Sequence, residues 1–158
     1  MDVVKKIQKS VTLGGFVHAF GNGGSCSITS HFLLDLHRAC NVPVRWHGDL
    51  ALATCLANDY GYDNHYASIA ETQVGKKDVV FLISSSGNSE NILNILQVCR
   101  KAGVFTVGLT GFSIDNRMAS QCDINFHCDF CNYNVVESVH SDWLLSIVEM
   151  LKAGIRLA

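Results

Sequence analysis

A chain of 158 residues, 48% apolar and 16% charged, is long enough for one buried core and too apolar to stay disordered. Its net charge of −2 argues against a general nucleic-acid binder, which needs clustered Lys and Arg, and no stretch is long and apolar enough to span a bilayer. The single proline leaves no room for a Pro-rich linker, so one domain over residues 1–158 is expected. Seven irregularly spaced cysteines do not read as a disulfide framework. The N-terminus lacks the apolar segment of a signal peptide, so the expected compartment is the reduced cytoplasm.

Taken in order, residues 2–12 place Val3, Val4, Ile7 and Val11 at helical spacing, and Gly14-Gly15 ends the pattern. Phe16 to Phe20 reads as the first strand. Gly21-Asn22-Gly23-Gly24-Ser25 follows, and Ser25 to Leu36 reads as a helix with Ile28, Phe32, Leu33 and Leu36 inward. Val42 to Trp46 is a strand shortened by Pro43. Asp49 is placed to cap a helix over Leu50 to Leu56, which Asn58-Asp59-Tyr60-Gly61 breaks. Asp63 to about Glu71 is helical again, and Gly75-Lys76-Lys77 is a turn.

Asp78 to Ile83 is nearly all apolar, as in a strand covered on both faces. After Ser84-Ser85-Ser86-Gly87-Asn88-Ser89, an amphipathic helix runs from Glu90 to Ala102 and stops at Gly103. Val104 to Leu109 is a strand and Asp115 to Gln121 a short helix. Asp123 to His127 is an edge strand, and Val135 to about Ile155 is a long closing helix. Alternating strands and helices imply parallel pairing through crossovers. The expected fold is therefore α/β, a three-layer αβα sandwich with a five-stranded parallel sheet. Ligands in such sheets sit at the carboxyl ends of strands, near a switch in strand order.

Both polar loops fall at such strand ends. Glycine lets backbone approach a ligand closely, and free N–H groups at a helix start favour an anion. Ser89 alone would explain the second helix as a cap, but four serines within residues 84–89 exceed what a cap needs. Neither loop has the Walker or the dinucleotide-binding spacing. A phosphorylated small molecule is the expected ligand. His31 and Asp35 share a helix face, as a metal-ligating or acid/base pair or as an ordinary polar pair. Glu137 and His140 pose the same choice. Asn58-Asp59 is either a helix stop or a polar pair at a site mouth. Cys128-Asp129-Phe130-Cys131, with only Cys122 and His127 nearby, is expected to be an incidental surface pair rather than a zinc knuckle.

Together, Gly21-Asn22-Gly23-Gly24-Ser25, His31-Phe32, Asn58-Asp59-Tyr60-Gly61, Ile83 to Ser89, Leu109-Thr110-Gly111 and Glu137…His140 resemble the sugar isomerase (SIS) domain family, and within it the phosphoheptose isomerases. The match runs from about Phe16 to Leu151. The resemblance implies a SIS-type, flavodoxin-like sheet and a homo-oligomer, a tetramer or a dimer, with sites built between subunits. It implies a phosphorylated ketose, its phosphate on Ser84, Ser85, Ser86 and Ser89, with Asn22, Gly23, Gly24, Ser25, Asn58 and Asp59 around the sugar. It implies zinc or another divalent metal on His31, Asp35 and Glu137, with Asp35 and Glu137 as the catalytic carboxylates. The expected reaction is conversion of sedoheptulose 7-phosphate to D-glycero-D-manno-heptose 7-phosphate through an enediol. A non-catalytic phosphosugar-binding module is the alternative, as is an isomerase for another phosphosugar.

The chain departs from the family pattern at Asp35 and Glu137, where a glutamate and a glutamine are usual. Leu145 stands where a last-helix histidine is usual, and the N-terminal helical arm is shorter. His140, one turn from Glu137, is a candidate substitute for that histidine.

Overall fold

A computed structural model describes residues 2–154. Five strands form one parallel sheet: β1 (Val17–Gly21), β2 (Val44–Arg45), β3 (Val79–Ser84), β4 (Phe105–Gly111) and β5 (Ile124–Cys128). Their order is β2-β1-β3-β4-β5, the doubly wound arrangement with its switch between β1 and β3. The helices are α1 (Asp2–Thr12), α2 (Gly23–Cys40), α3 (Leu50–Tyr60), α4 (His65–Gln73), α5 (Glu90–Ala102) and α6 (Tyr133–Lys152).

Alternation along the central strands sorts the core into two layers. Val79, Phe81 and Ile83 of β3 join Val3, Ile7, Phe32, Leu36, Leu144 and Val148 on the α1–α2–α6 side. Val80 and Leu82 join Ile69, Ile92, Ile95 and Leu96 on the α4–α5 side. All six β3 residues are buried, which is why that strand reads as a nearly all-apolar run. The edge strands differ. Pro43 leaves β2 only two residues, and β5 is half-buried throughout.

Three expected elements change. Asp115–Gln121 forms turns instead of a helix, because the Asn116 side chain takes over backbone groups. Its Nδ2 donates to Ser113 O at 2.8 Å and its Oδ1 accepts from Ala119 N at 2.9 Å. Helix α2 continues past Leu36 to Cys40 and stops only at Asn41, which is left-handed. Helix α3 runs through Asn58 and Asp59 to Tyr60, since those side chains bond each other and leave the backbone free to continue. Asp49 does cap α3, accepting from Leu52 N at 2.9 Å. The closing helix ends at Lys152, and its expected end at Ile155 lies outside the described residues.

Candidate active site

The register pairs Gly21 with Ile83, so the loops after β1 and β3 emerge side by side at the switch point. Each opens a helix whose first residue has no side-chain cap from the residue before it. Asn22 precedes α2 and Ser89 precedes α5, and neither side chain caps its helix. Both helix starts therefore keep free amide donors pointing out of the sheet's end.

Asn22 is occupied elsewhere. Its Nδ2 donates to Asn91 Oδ1 at 2.9 Å, and Asn91 Nδ2 donates back to Asn22 Oδ1 at 2.8 Å. Tyr62 Oη also donates to Asn22 Oδ1, at 3.0 Å, and Tyr66 Oη donates to Gly21 O at 2.7 Å. Burial pushes the Tyr66 phenol well above its ordinary range, so it remains a donor. These four side chains tie the glycine loop to α5 and to the segment that leads into α4. Asn22 thus serves as a brace, and Asn91, Tyr62 and Tyr66 are additions the sequence reading missed.

In the serine loop, Ser84 Oγ and Ser89 Oγ lie 3.1 Å apart. Ser84 and Ser85 are buried, and Ser85 Oγ has no hydrogen-bond partner among the described residues. A buried hydroxyl without a partner is uncommon and marks a donor suited to a ligand. Ser86 Oγ instead accepts from Asn88 N at 3.2 Å, within the turn. Gly87 has φ +65°, and a Cβ there would fall 2.0 Å from Asn116 Oδ1. The turns after β4 hold the loop from outside: Arg117 N donates to Asn88 Oδ1 at 3.0 Å, and Met118 N to Gly87 O at 3.0 Å.

Helix α6 closes the crevice on the third side. A Cβ on Gly24 would fall 2.3 Å from Glu137 Oε2, and one on Gly111 would fall 2.6 Å from a methyl of Val136. The half-buried Glu137 carboxylate therefore rests directly on the first turn of α2, where the helix dipole is positive. Gly24 serves this packing; Gly23 and Ser25 stand beside it in the same turn.

The other expected site residues are not brought into this group. His31 is exposed, and its Nε2 lies 3.2 Å from Asp35 Oδ2, further along α2; Asp35 also meets Arg38 at 3.5 Å. Glu137 sits at Gly24, seven residues before His31. Among the described residues no three His, Cys, Asp or Glu form a group able to hold a metal. The chain alone thus offers a metal two ligands, not the three of the expected set, which does not fit a catalytic centre. Asn58 and Asp59 are exposed at the end of α3 and bond each other at 3.0 Å; the region reaches the glycine loop through Tyr62 instead. His140 does not stand in for the missing histidine. It is fully buried, and its Nε2 bonds Thr110 O at 3.0 Å as a brace between α6 and β4.

The SIS domain family's profile matches residues 2–111. Phosphoheptose isomerase of Aliarcobacter butzleri is 39% identical over 66% of this chain, and the match spans 58% of that relative's length. Phosphoheptose isomerase of Vibrio cholerae is 30% identical over 94% of this chain and 80% of its own. The solved structure of a phosphoheptose isomerase from Francisella tularensis superposes with a TM-score of 0.86, covering 96% of this chain and 83% of that one at 23% identity, which shows a shared fold. Among the described residues no helix is long and apolar enough to cross a membrane.

Proposed function

The chain belongs to the SIS domain family, and from that premise we propose that it is a sugar-phosphate isomerase. The substrate class we propose is a seven-carbon ketose phosphate, sedoheptulose 7-phosphate, in keeping with the name its relatives carry. One observation carries the reading: two uncapped helix starts and a partnerless buried serine converge at the sheet's switch point beside a carboxylate. The phosphate would rest on Ser84, Ser85, Ser89 and the first amides of α5, where hydroxyl and backbone donors offset its charge. Isomerisation needs a base that takes a proton from one carbon of the ketose and returns it to its neighbour through an enediol. Glu137, whose carboxylate rests on Gly24 of the glycine loop, is the proposed base. Asp35, paired with His31, is the second candidate, reached from a neighbouring copy of the chain. A divalent ion on His31 and Asp35 would need its further ligands from such a copy, so no step is assigned to it.

Helix α3 supports an oligomer. It has no buried residue, and Leu50 is 76% exposed. An apolar helix of this kind is what a subunit interface covers. The alternative, a phosphosugar-binding module without catalysis, is favoured by the incomplete metal set and by Leu145. The deciding experiment is an NMR time course with sedoheptulose 7-phosphate on the purified chain and on Glu137→Gln. Turnover by the chain, reduced about 10²–10⁴-fold in the variant, is the expected outcome for a general base. Binding by calorimetry without turnover establishes the alternative, and absence of binding removes both.

A further inference from the structure

The far end of the sheet carries a second feature. A cavity of about 630 Å³ opens at the N-terminal ends of β3 and β4, away from the two polar loops. Its wall gathers Lys6 and Lys9 from α1, Lys76 and Lys77 from the turn before β3, and Arg100 from α5. Five of the chain's twelve Lys and Arg thus line one hollow in a molecule of net charge −2.

The two carboxylates of the wall are bonded to other groups and offset the five cations only in part. Asp78 accepts from Phe16 N and Gly75 N, each at 2.8 Å, and also lies 3.3 Å from His18 Nε2. Asp123 accepts from Thr106 N at 2.7 Å and Thr106 Oγ1 at 2.8 Å. Among the described residues none of the five cations forms an ion pair. Local causes account for some of them. Lys9 and Arg100 lie in the last turns of their helices, where the dipole favours a cation. Lys6 sits 4.5 Å over the Phe105 ring. Lys76 and Lys77 stand exposed in the turn before β3, at no helix end and over no aromatic ring, and adjacent like charges repel. A further observation comes from Ser10, which lines the same cavity. It is only 3% exposed, and its Oγ has no hydrogen-bond partner among the described residues.

We propose that this cavity is a binding site for a small organic anion carrying two phosphoryl groups, either a nucleoside diphosphate or a sugar bisphosphate. Its volume lies in the range of small-molecule sites, about 300–1,000 Å³. Five cations against two carboxylates leave a surplus of three positive charges. One phosphate would leave part of that surplus unmatched, whereas a diphosphate group matches it. The site is remote from the phosphosugar crevice, so it holds a ligand other than the substrate.

Calorimetry on the full chain with ADP, inorganic pyrophosphate, fructose 1,6-bisphosphate and orthophosphate tests the proposal. Binding of at least one diphosphate or bisphosphate probe at least tenfold tighter than orthophosphate is expected. That binding should weaken at least tenfold in the double variant Lys76→Glu/Lys77→Glu and, separately, in Lys6→Glu, and it should fall as salt rises. A clear preference for ADP identifies a nucleotide site; equal binding of pyrophosphate identifies the diphosphate group alone; a preference for fructose 1,6-bisphosphate identifies a sugar bisphosphate. No probe tighter than orthophosphate, or affinity unchanged in the lysine variants while their thermal midpoints hold, overturns the proposal. Turnover of sedoheptulose 7-phosphate by the same variants reports separately on the crevice, so loss of one reading does not carry the other with it.

Discussion

Asn91 is the second residue of α5, only 1% exposed, and it exchanges two hydrogen bonds with Asn22, accepting one and donating the other. Truncating it leaves the Asn22 amide facing a buried gap. Asn91→Ala is expected to lower the unfolding free energy by about 1–3 kcal/mol in urea titrations, and to weaken phosphosugar binding because the glycine loop loses its tie. Gly24 answers to a different constraint. A methyl at Gly24 must displace the Glu137 carboxylate. Gly24→Ala should therefore reduce turnover far more than it shifts the thermal midpoint, a split that a kinetic assay beside a melting curve reads directly. The signal for Asn91 is in the chain: it stands four residues before Ile95, on the apolar stripe of an amphipathic helix. Tyr62 and Tyr66 carry no such mark, because only the fold reveals that their hydroxyls reach a loop about 40 residues earlier.

At the scale of elements, strands and helices were legible because most of them are periodic and end at glycine or polar turn residues. Helix α3 shows how a cap works on a helix with no fully buried residue. Asp49 accepts from Leu52 N, yet α3 buries no residue. Asp49→Ala removes about 1 kcal/mol of local stabilisation. Amide exchange should accelerate across α3 while the global unfolding midpoint stays nearly constant. The segment 113–121 was not legible, since its turns depend on Asn116 meeting both its own backbone and Gly87 of a distant loop. Gly87→Ala combines a strained φ with a clash at Asn116 and should loosen both segments, seen as weaker phosphosugar binding with a lower melting temperature.

For the whole molecule, buried histidines set the response to acid. His18 Nδ1 lies 3.0 Å from His47 Nε2, and His18 Nε2 lies 3.3 Å from Asp78. Burial pushes His47 down to about 4, with help from the neighbouring His18 and Arg45. Burial also lowers His18, partly offset by Asp78, and lowers His140. In the unfolded chain these imidazoles take up a proton near pH 6.5, while the folded chain keeps them neutral to lower pH. Their stabilisation is complete above about pH 6.5 and is lost as pH falls toward the folded values. For His47 the loss between pH 6.5 and 4 is on the order of 3 kcal/mol. Urea midpoints should drop between pH 7.5 and 5, and His47→Phe should make that drop shallower.

The sequence by itself determined the layer order, the parallel sheet and the two loops, because apolar period and glycine-serine punctuation are local properties of the chain. The tertiary structure decided which polar side chains meet. It set Glu137 on Gly24, buried His140 against β4, kept Asp35 with His31, and collected five cations at the opposite end of the sheet. Those pairings depend on the packing angle of α6 and on where each crossover returns. No residue spacing within a single element encodes either.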